Sequence, residues 1–178
     1  MSSKNPEEIK WYVLHTRSRF ENVVKDLLLK KDIEVFLPKV MKLSQRKDRR
    51  QIIEVPMFPG YLFVKSDFTP EHRLKILKTT GAVDIIGTKN GAVPVKNETI
   101  ESLILFSASR EQIYTGKGFK KGQEVIIKQG PLAGVKGIFE KEAGKMKVIV
   151  QIDILGRYAY TEVNENNIKF LDQTVIIP

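Results

Sequence analysis

Two hydrophobic periods alternate along the first hundred residues. Trp11 to Thr16, rich in aromatic and β-branched residues, reads as a strand. Phe20, Val23, Val24, Leu27 and Leu28 then recur at three- and four-residue spacing, which lines one face of a helix. Ser18-Arg19-Phe20-Glu21 has the form of a capping box, in which the Ser and Glu side chains each satisfy a free backbone N–H. Ile33 to Pro38 reads as a short strand, and Leu62 to Val64 as another. Thr69-Pro70-Glu71 opens a second helix with proline at its first position, and Gly81 ends it. Val83 to Ile86 is a strand. Asn97 caps a third helix carrying Ile100, Leu103 and Ile104 on one face. The alternation predicts an α+β sandwich, an antiparallel sheet flanked by helices.

The pattern then changes. Glu124 to Lys128, Gly137 to Glu140, Lys147 to Ile154 and Tyr158 to Val163 read as strands. Val148, Val150, Ile152 and Ile154 alternate with Lys147, Ile149, Gln151 and Asp153. Eight of the 12 glycines lie between Gly116 and Gly156, the density at which small antiparallel sheets turn their corners. These features predict a small SH3-like β-barrel with no helical period in its strands. The stretch from Ser107 to Gly118 is small and polar and ends on Gly-Lys-Gly. We therefore expect domains at 10–108 and 120–172, joined by a linker at 109–119 that lets them tumble semi-independently.

One segment stands apart. In Val55-Pro56-Met57-Phe58-Pro59-Gly60-Tyr61-Leu62-Phe63-Val64-Lys65, two prolines bracket a bulky pair and Gly60 permits a tight bend. Three aromatic rings then fall within six positions, in a chain only 8% aromatic. The run is either a core strand with a kinked start or a partly exposed apolar patch that binds a partner.

Charge sharpens the choice of partner. The 178-residue chain carries a net charge of +9 and a pI near 9.6, a balance that points to a polyanion. Residues 10–108 hold 18 basic against 11 acidic side chains, and residues 120–172 hold 9 against 7, so the first part is the better candidate. Lys39, Lys42, Arg46, Lys47, Arg49 and Arg50 face only Asp48 in one polar segment between two strands. It reads as an exposed loop or hairpin tip, either merely solvated or placed to neutralise phosphates. Arg17 and Arg19 precede a helix N-terminus, where the macrodipole disfavours cations, which hints at an anionic partner.

Other chemistry finds no footing. With no cysteine and two isolated histidines, neither a thiol nucleophile nor a structural metal site is expected. The glycine-rich Gly130 to Gly137 lacks the Gly-Lys-Ser/Thr of a phosphate loop, and Gly-x-Ser-x-Gly is absent. No apolar run approaches the roughly 18 residues of a membrane span, and the N-terminus lacks a signal-peptide core. The expectation is a cytoplasmic, monomeric protein that is not an enzyme and has no catalytic residues, metal or cofactor.

The chain resembles the NusG family of transcription elongation factors. The resemblance is carried by Trp11-Tyr12-Val13-Leu14-His15-Thr16, Phe20-Glu21-Asn22, Phe58-Pro59-Gly60-Tyr61, and Gly81-Ala82-Val83 with Ile86-Gly87. The second part adds Gly122-Gln123-Glu124-Val125, Gly130-Pro131-Leu132-Ala133-Gly134 with Gly137, and Leu155-Gly156-Arg157, similar to a KOW motif. The resemblance implies an NGN-like domain that docks on the clamp helices of RNA polymerase's largest subunit, bridges the DNA cleft and keeps the enzyme processive. By position it implies Phe58, Tyr61 and Phe63 as the aromatic run of the pocket, Val13 and His15 as its opposite wall, and His72 on the other side of the cleft. His15 stands where an apolar or aromatic residue is usual. Of the His-Thr-Thr of RfaH-type paralogues, His72-Arg73-Leu74 keeps only the first position. Arg17, Arg19, Thr79 and Thr80 fall where such paralogues touch non-template DNA, and Arg46, Lys47, Arg49 and Arg50 add backbone contacts. In the KOW domain, Leu155 takes the place of a partner-contacting aromatic beside Arg157, with Rho or a small-subunit ribosomal protein as the implied partner. Thr16 to Glu21 and Val55 to Val64 look more like operon-specific antiterminators of the UpxY kind than like housekeeping NusG. A housekeeping factor, or a ribosome-associated KOW protein that binds RNA, remains the alternative.

Overall fold

The computed structural model describes residues 8–48 and 50–171. In chain order its elements are β1 (Lys10–Thr16), α1 (Glu21–Lys30), β2 (Val35–Phe36), β3 (Lys39–Leu43), β4 (Ile52–Pro56), β5 (Tyr61–Ser66), α2 (Pro70–Leu77), β6 (Ala82–Ile85), β7 (Gly87–Thr88), β8 (Gly91–Ala92), α3 (Asn97–Ala108), β9 (Tyr114–Lys117), β10 (Glu124–Ile127), β11 (Lys136–Glu142), β12 (Lys145–Ile152), β13 (Arg157–Glu162) and β14 (Ile168–Phe170). The α+β class read from the sequence is the class observed. Two compact units interleave along the chain. One takes the residues up to Lys39 and Glu54–Asn97, the other Val40–Ile53 and the residues from Glu98 onward.

The first unit is built on an antiparallel sheet of order β2-β5-β1-β6. One sheet face presents Tyr12, Leu14, Leu62, Val64 and Ile85, and packs with Val24 and Leu28 of α1 and Ile76 of α2. The helical stripe is narrower than its spacing suggests. Val24 and Leu28 are buried, Phe20 and Leu27 are half-buried, and Val23 is exposed.

The helix starts divide between expectation and correction. Thr69 caps α2, its hydroxyl accepting the His72 N–H at 3.3 Å, and Pro70 occupies the first turn. The capping box at Ser18–Glu21 does not form: Phe20 stands at the cap with no side-chain hydrogen bond, and Glu21 is buried with a different partner. Gly81 is required by space as well as by its φ of +93°, since a Cβ there would lie 2.7 Å from the Phe20 ring and 2.9 Å from Val24.

The second unit holds an antiparallel sheet of order β14-β10-β11-β12-β13-β9. Its strands bury Val125, Ile127, Val148, Val150, Ile152, Ala159, Thr161 and Ile168, with Val135 before β11. Ile149, which the alternation grouped with the polar positions, is buried as well. The alternation of β12 ends at Ile152. Asp153–Leu155 turn as a 3₁₀ helix, and Gly156 closes it in the left-handed conformation. On α3, the buried positions are Ile100, Ser102, Leu103 and Phe106, whereas Ile104 is exposed. The Ser102 hydroxyl donates to the Lys136 carbonyl at 3.1 Å and accepts the Lys136 N–H at 3.0 Å, so this buried polar group is satisfied.

Tyr114–Lys117, inside the stretch read as a linker, is a strand paired with β13 from Tyr114↔Tyr160 to Arg157↔Lys117. Gly116 serves packing rather than flexibility here, because the Tyr158 ring occupies the space a Cβ would fill. The basic segment forms a hairpin of β3 and β4. Ser44 N–H donates to the Gln51 carbonyl and Met57 N–H to the Pro38 carbonyl, both at 2.7 Å, which sets the register at both ends of the ladder.

Candidate functional site

Strand alternation gathers the aromatic segment on one sheet face. The β1–β5 pairs Trp11↔Lys65, Val13↔Phe63 and His15↔Tyr61 project opposite to Tyr12, Leu14, Leu62 and Val64. His15 and Tyr61 stack with ring centroids 5.2 Å apart, and Phe36 and Phe63 stack at 6.0 Å. The Lys65 ammonium lies 5.6 Å from the Trp11 ring centroid, within cation–π range. Val13, His15, Tyr61 and Phe63, proposed from sequence as one site, thus share a face.

Phe58 stands just outside the strand, at the bend before it. Its carbonyl accepts the Tyr61 N–H at 3.0 Å across Pro59-Gly60, with Gly60 at φ +87°. Gly60 is held on both sides: its N–H donates to Glu21 Oε1 at 2.7 Å, and its carbonyl accepts the Thr16 N–H at 2.8 Å. The bend is therefore tied to both α1 and the end of β1. Phe58 and Phe63 are 2% and 0% exposed, which corrects the expectation of a partly exposed aromatic patch; Tyr61 and His15 are half-buried.

His72 does not join this face. Its Nδ1 lies 2.6 Å from the Ser66 hydroxyl and 3.6 Å from an Asp67 carboxylate oxygen, at the start of α2. The Thr69 backbone N–H beside Asp67 holds that carboxyl below its ordinary pKa.

The cations divide by exposure. Arg17 and Arg19 are exposed, Arg17 N–H donating to the Gly81 carbonyl at 2.8 Å and Arg19 adopting a φ of +65°. Thr79 is buried, its hydroxyl donating to the Lys75 carbonyl and accepting from Lys31 Nζ at 2.9 Å; Thr80 beside it is exposed. Arg46, Lys47 and Arg50 are exposed at the hairpin tip, and Arg49 lies outside the described residues. Sequence reasoning, attentive to charge, passed over the apolar side of this hairpin, where Met41, Leu43 and Ile52 are exposed.

In the second unit, Leu155 ends the 3₁₀ turn and Arg157 begins β13; both are half-buried. Beyond them, the outer face of β11–β13 carries a charge ladder. Lys147 bridges Glu142 at 2.8 Å and Glu140 at 3.8 Å, and Lys145 bridges Glu162 at 2.8 Å. The hydrogen bond that Lys147 donates to Glu142 lowers the Glu142 pKa and raises that of Lys147. Tyr114 stacks on Tyr160 at 5.0 Å, with Lys147 Nζ 5.0 Å from the Tyr160 ring centroid. Among the described residues, no group of three or more His, Cys, Asp or Glu could hold a metal ion.

A family model described as "Transcription termination factor nusG" matches residues 9–104, more than half of the chain. The chain belongs to the NusG family. A curated NusG from Halalkalibacterium halodurans, a transcription termination/antitermination protein, is 25% identical over 175 residues, covering 91% of this chain and 98% of the relative. The NusG of Staphylococcus carnosus, of the same description, is 26% identical over 175 residues, with 91% and 96% covered. The solved structure "Domain interaction in Thermotoga maritima NusG" aligns at a TM-score of 0.53 and 22% identity, covering 94% of this chain and all of that one, a likeness of fold. The NusG-family match spans the sheet face, the Phe58–Tyr61 bend, the hairpin and most of α3. Among the described residues, no helix is long and apolar enough to cross a membrane.

Proposed function

We propose that this NusG-family protein is a cytoplasmic transcription elongation and antitermination factor that binds RNA polymerase through its N-terminal NGN-like domain, residues 10–108. Val13, His15, Phe58, Tyr61 and Phe63 receive the clamp helices of the largest subunit, with His72 turned to the other side of the cleft. Arg17, Arg19, Thr80 and the hairpin cations meet the DNA backbone, while Thr79 is buried and held by Lys75 and Lys31. The KOW domain, residues 120–172 with β9 as an added edge strand, takes a second partner through Leu155 and Arg157, Rho or a small-subunit ribosomal protein. It acts as a monomer without cofactor or catalytic step, on particular operons rather than on all transcription.

The observation that carries this reading is the shared face of Val13, His15, Tyr61 and Phe63, joined to Phe58 by the bend at Gly60. Aromatic anchors of this kind dominate interface energetics. Because Val13, Phe58 and Phe63 are all buried, contact through them requires a change of conformation that uncovers them. Binding of purified RNA polymerase is the test. Tyr61→Ala, at a half-buried position, should weaken binding by about 2 kcal/mol while the protein stays folded. Unchanged binding would leave the rings as core and remove this reading.

A further inference from the structure

We propose that Phe119 is the aromatic anchor of the KOW partner surface, and that it docks in an apolar pocket rimmed by carboxylates on a protein partner. The inference rests on the partner role given above to Leu155 and Arg157 and adds the residue that completes it.

Phe119 is the most exposed of the large hydrophobic side chains described, at 70%. Free exposure of one phenyl ring is ordinary on a mobile segment, but Phe119 is held on both sides. Gly118 N–H donates to the Gly156 carbonyl at 2.8 Å. Lys120 N–H donates to Gln151 Oε1 at 2.6 Å, and that amide is itself fixed by its other end on Asp153 Oδ1 at 2.6 Å. The ring lies over Gly156, where a Cβ would stand 3.8 Å from Phe119 Cε2. It is thus ordered by its backbone and displayed directly above the residue between Leu155 and Arg157. An aromatic fixed in place before binding loses little conformational freedom on docking, the property that makes such residues anchors.

This placement bears on the substitution at Leu155. An aliphatic residue stands where an aromatic would be expected, and the aromatic surface is supplied instead from the segment that follows β9. The charge around the ring selects the partner's chemistry. Lys117 pairs across the strands with Arg157, and exposed Lys121 stands two residues beyond Phe119, whereas Lys120 is already engaged by Glu140. The nearby carboxylates are engaged, Glu140 by Lys120 at 2.9 Å and Asp153 by Gln151. A basic rim around an apolar anchor fits an acidic protein surface with an apolar hollow.

The test uses the full chain with two probes, purified Rho and purified small ribosomal subunits. Phe119→Ala should lower affinity for whichever probe binds by about tenfold or more, with thermal unfolding unchanged because the ring is exposed. Binding by the parent protein should also weaken as salt rises. If Leu155→Ala or Arg157→Ala weakens binding and Phe119→Ala does not, the anchor role is overturned while the KOW partner reading stands. If the parent protein binds neither probe, that reading falls and this one with it. Salt-independent binding would overturn the acidic character assigned to the partner.

Discussion

The Glu21 carboxylate accepts a hydrogen bond from the Gly60 backbone N–H at 2.7 Å, across 39 positions of sequence. Glu21 is buried, so the bond fixes the start of α1 to the bend that positions Phe58 and Tyr61. Removing the acceptor leaves the Gly60 N–H unpaired, and hydrogen bonds to charged groups contribute about 1.5–3 kcal/mol. We expect Glu21→Ala to lose stability in that range in denaturant unfolding. Glu21→Gln, which keeps an acceptor of the same shape, should lose less. Equal losses from both would mean that burial, not this bond, sets the effect.

The hairpin tip makes an electrostatic prediction. Arg46, Lys47 and Arg50 are exposed at the hairpin tip. If they meet DNA phosphates in an elongation complex, changing all three to Ala should reduce the dependence of log affinity on log salt by about one unit per lost contact. An unchanged slope would assign the tip to solvent.

β9 sets the minimal size of the C-terminal β-domain. A fragment of residues 109–171 keeps the four β9–β13 pairs, buried Ile113 and the hydrogen bond from the Thr161 hydroxyl to the Gln112 carbonyl. A fragment starting at residue 120 loses them all. Burial of one isoleucine side chain alone contributes about 1.5–3 kcal/mol. The shorter fragment should therefore melt at a clearly lower temperature by circular dichroism, and equal melting temperatures would demote β9 to an ornament of the edge.

The charge ladder gives a prediction in pH. The Glu142 pKa is lowered first by its hydrogen bond from Lys147 and then by the charge of the same residue. A lowered carboxyl pKa contributes stability that is present above the unfolded value, about 4.3 for glutamate, and is lost as pH falls through the folded value. Lys147→Met should return the Glu142 titration, followed by carboxyl NMR shifts, to the ordinary glutamate range. A midpoint that stays low in the variant would mean that Lys147 is not the cause.

What the sequence determined by itself is the part encoded locally. The α2 start was legible because Thr69 and Pro70 act on the first turn beside them. β1 and β12 were legible because their side chains suit a pleated sheet over a strand's length, and the Gly60 bend because a φ of +87° is available to glycine at little cost. Family membership was legible for a related reason: the motifs that carry it are contiguous short runs. The tertiary structure decided whatever depends on a distant partner. Glu21 had the spacing for a capping box, but a backbone N–H brought close by the sheet captured its carboxylate. Ile104 satisfied the helical period of α3, yet Phe106 is the buried residue and Ile104 the exposed one, because packing rather than spacing selects which positions are covered. Tyr114–Lys117 carried linker composition, but β13 offered it a ladder, and the Tyr158 ring turned Gly116 from a hinge signal into a packing requirement. Periodicity records which backbone state a segment prefers. Which side chain is buried, and which polar group finds which partner, is settled only when strands distant in sequence come into register.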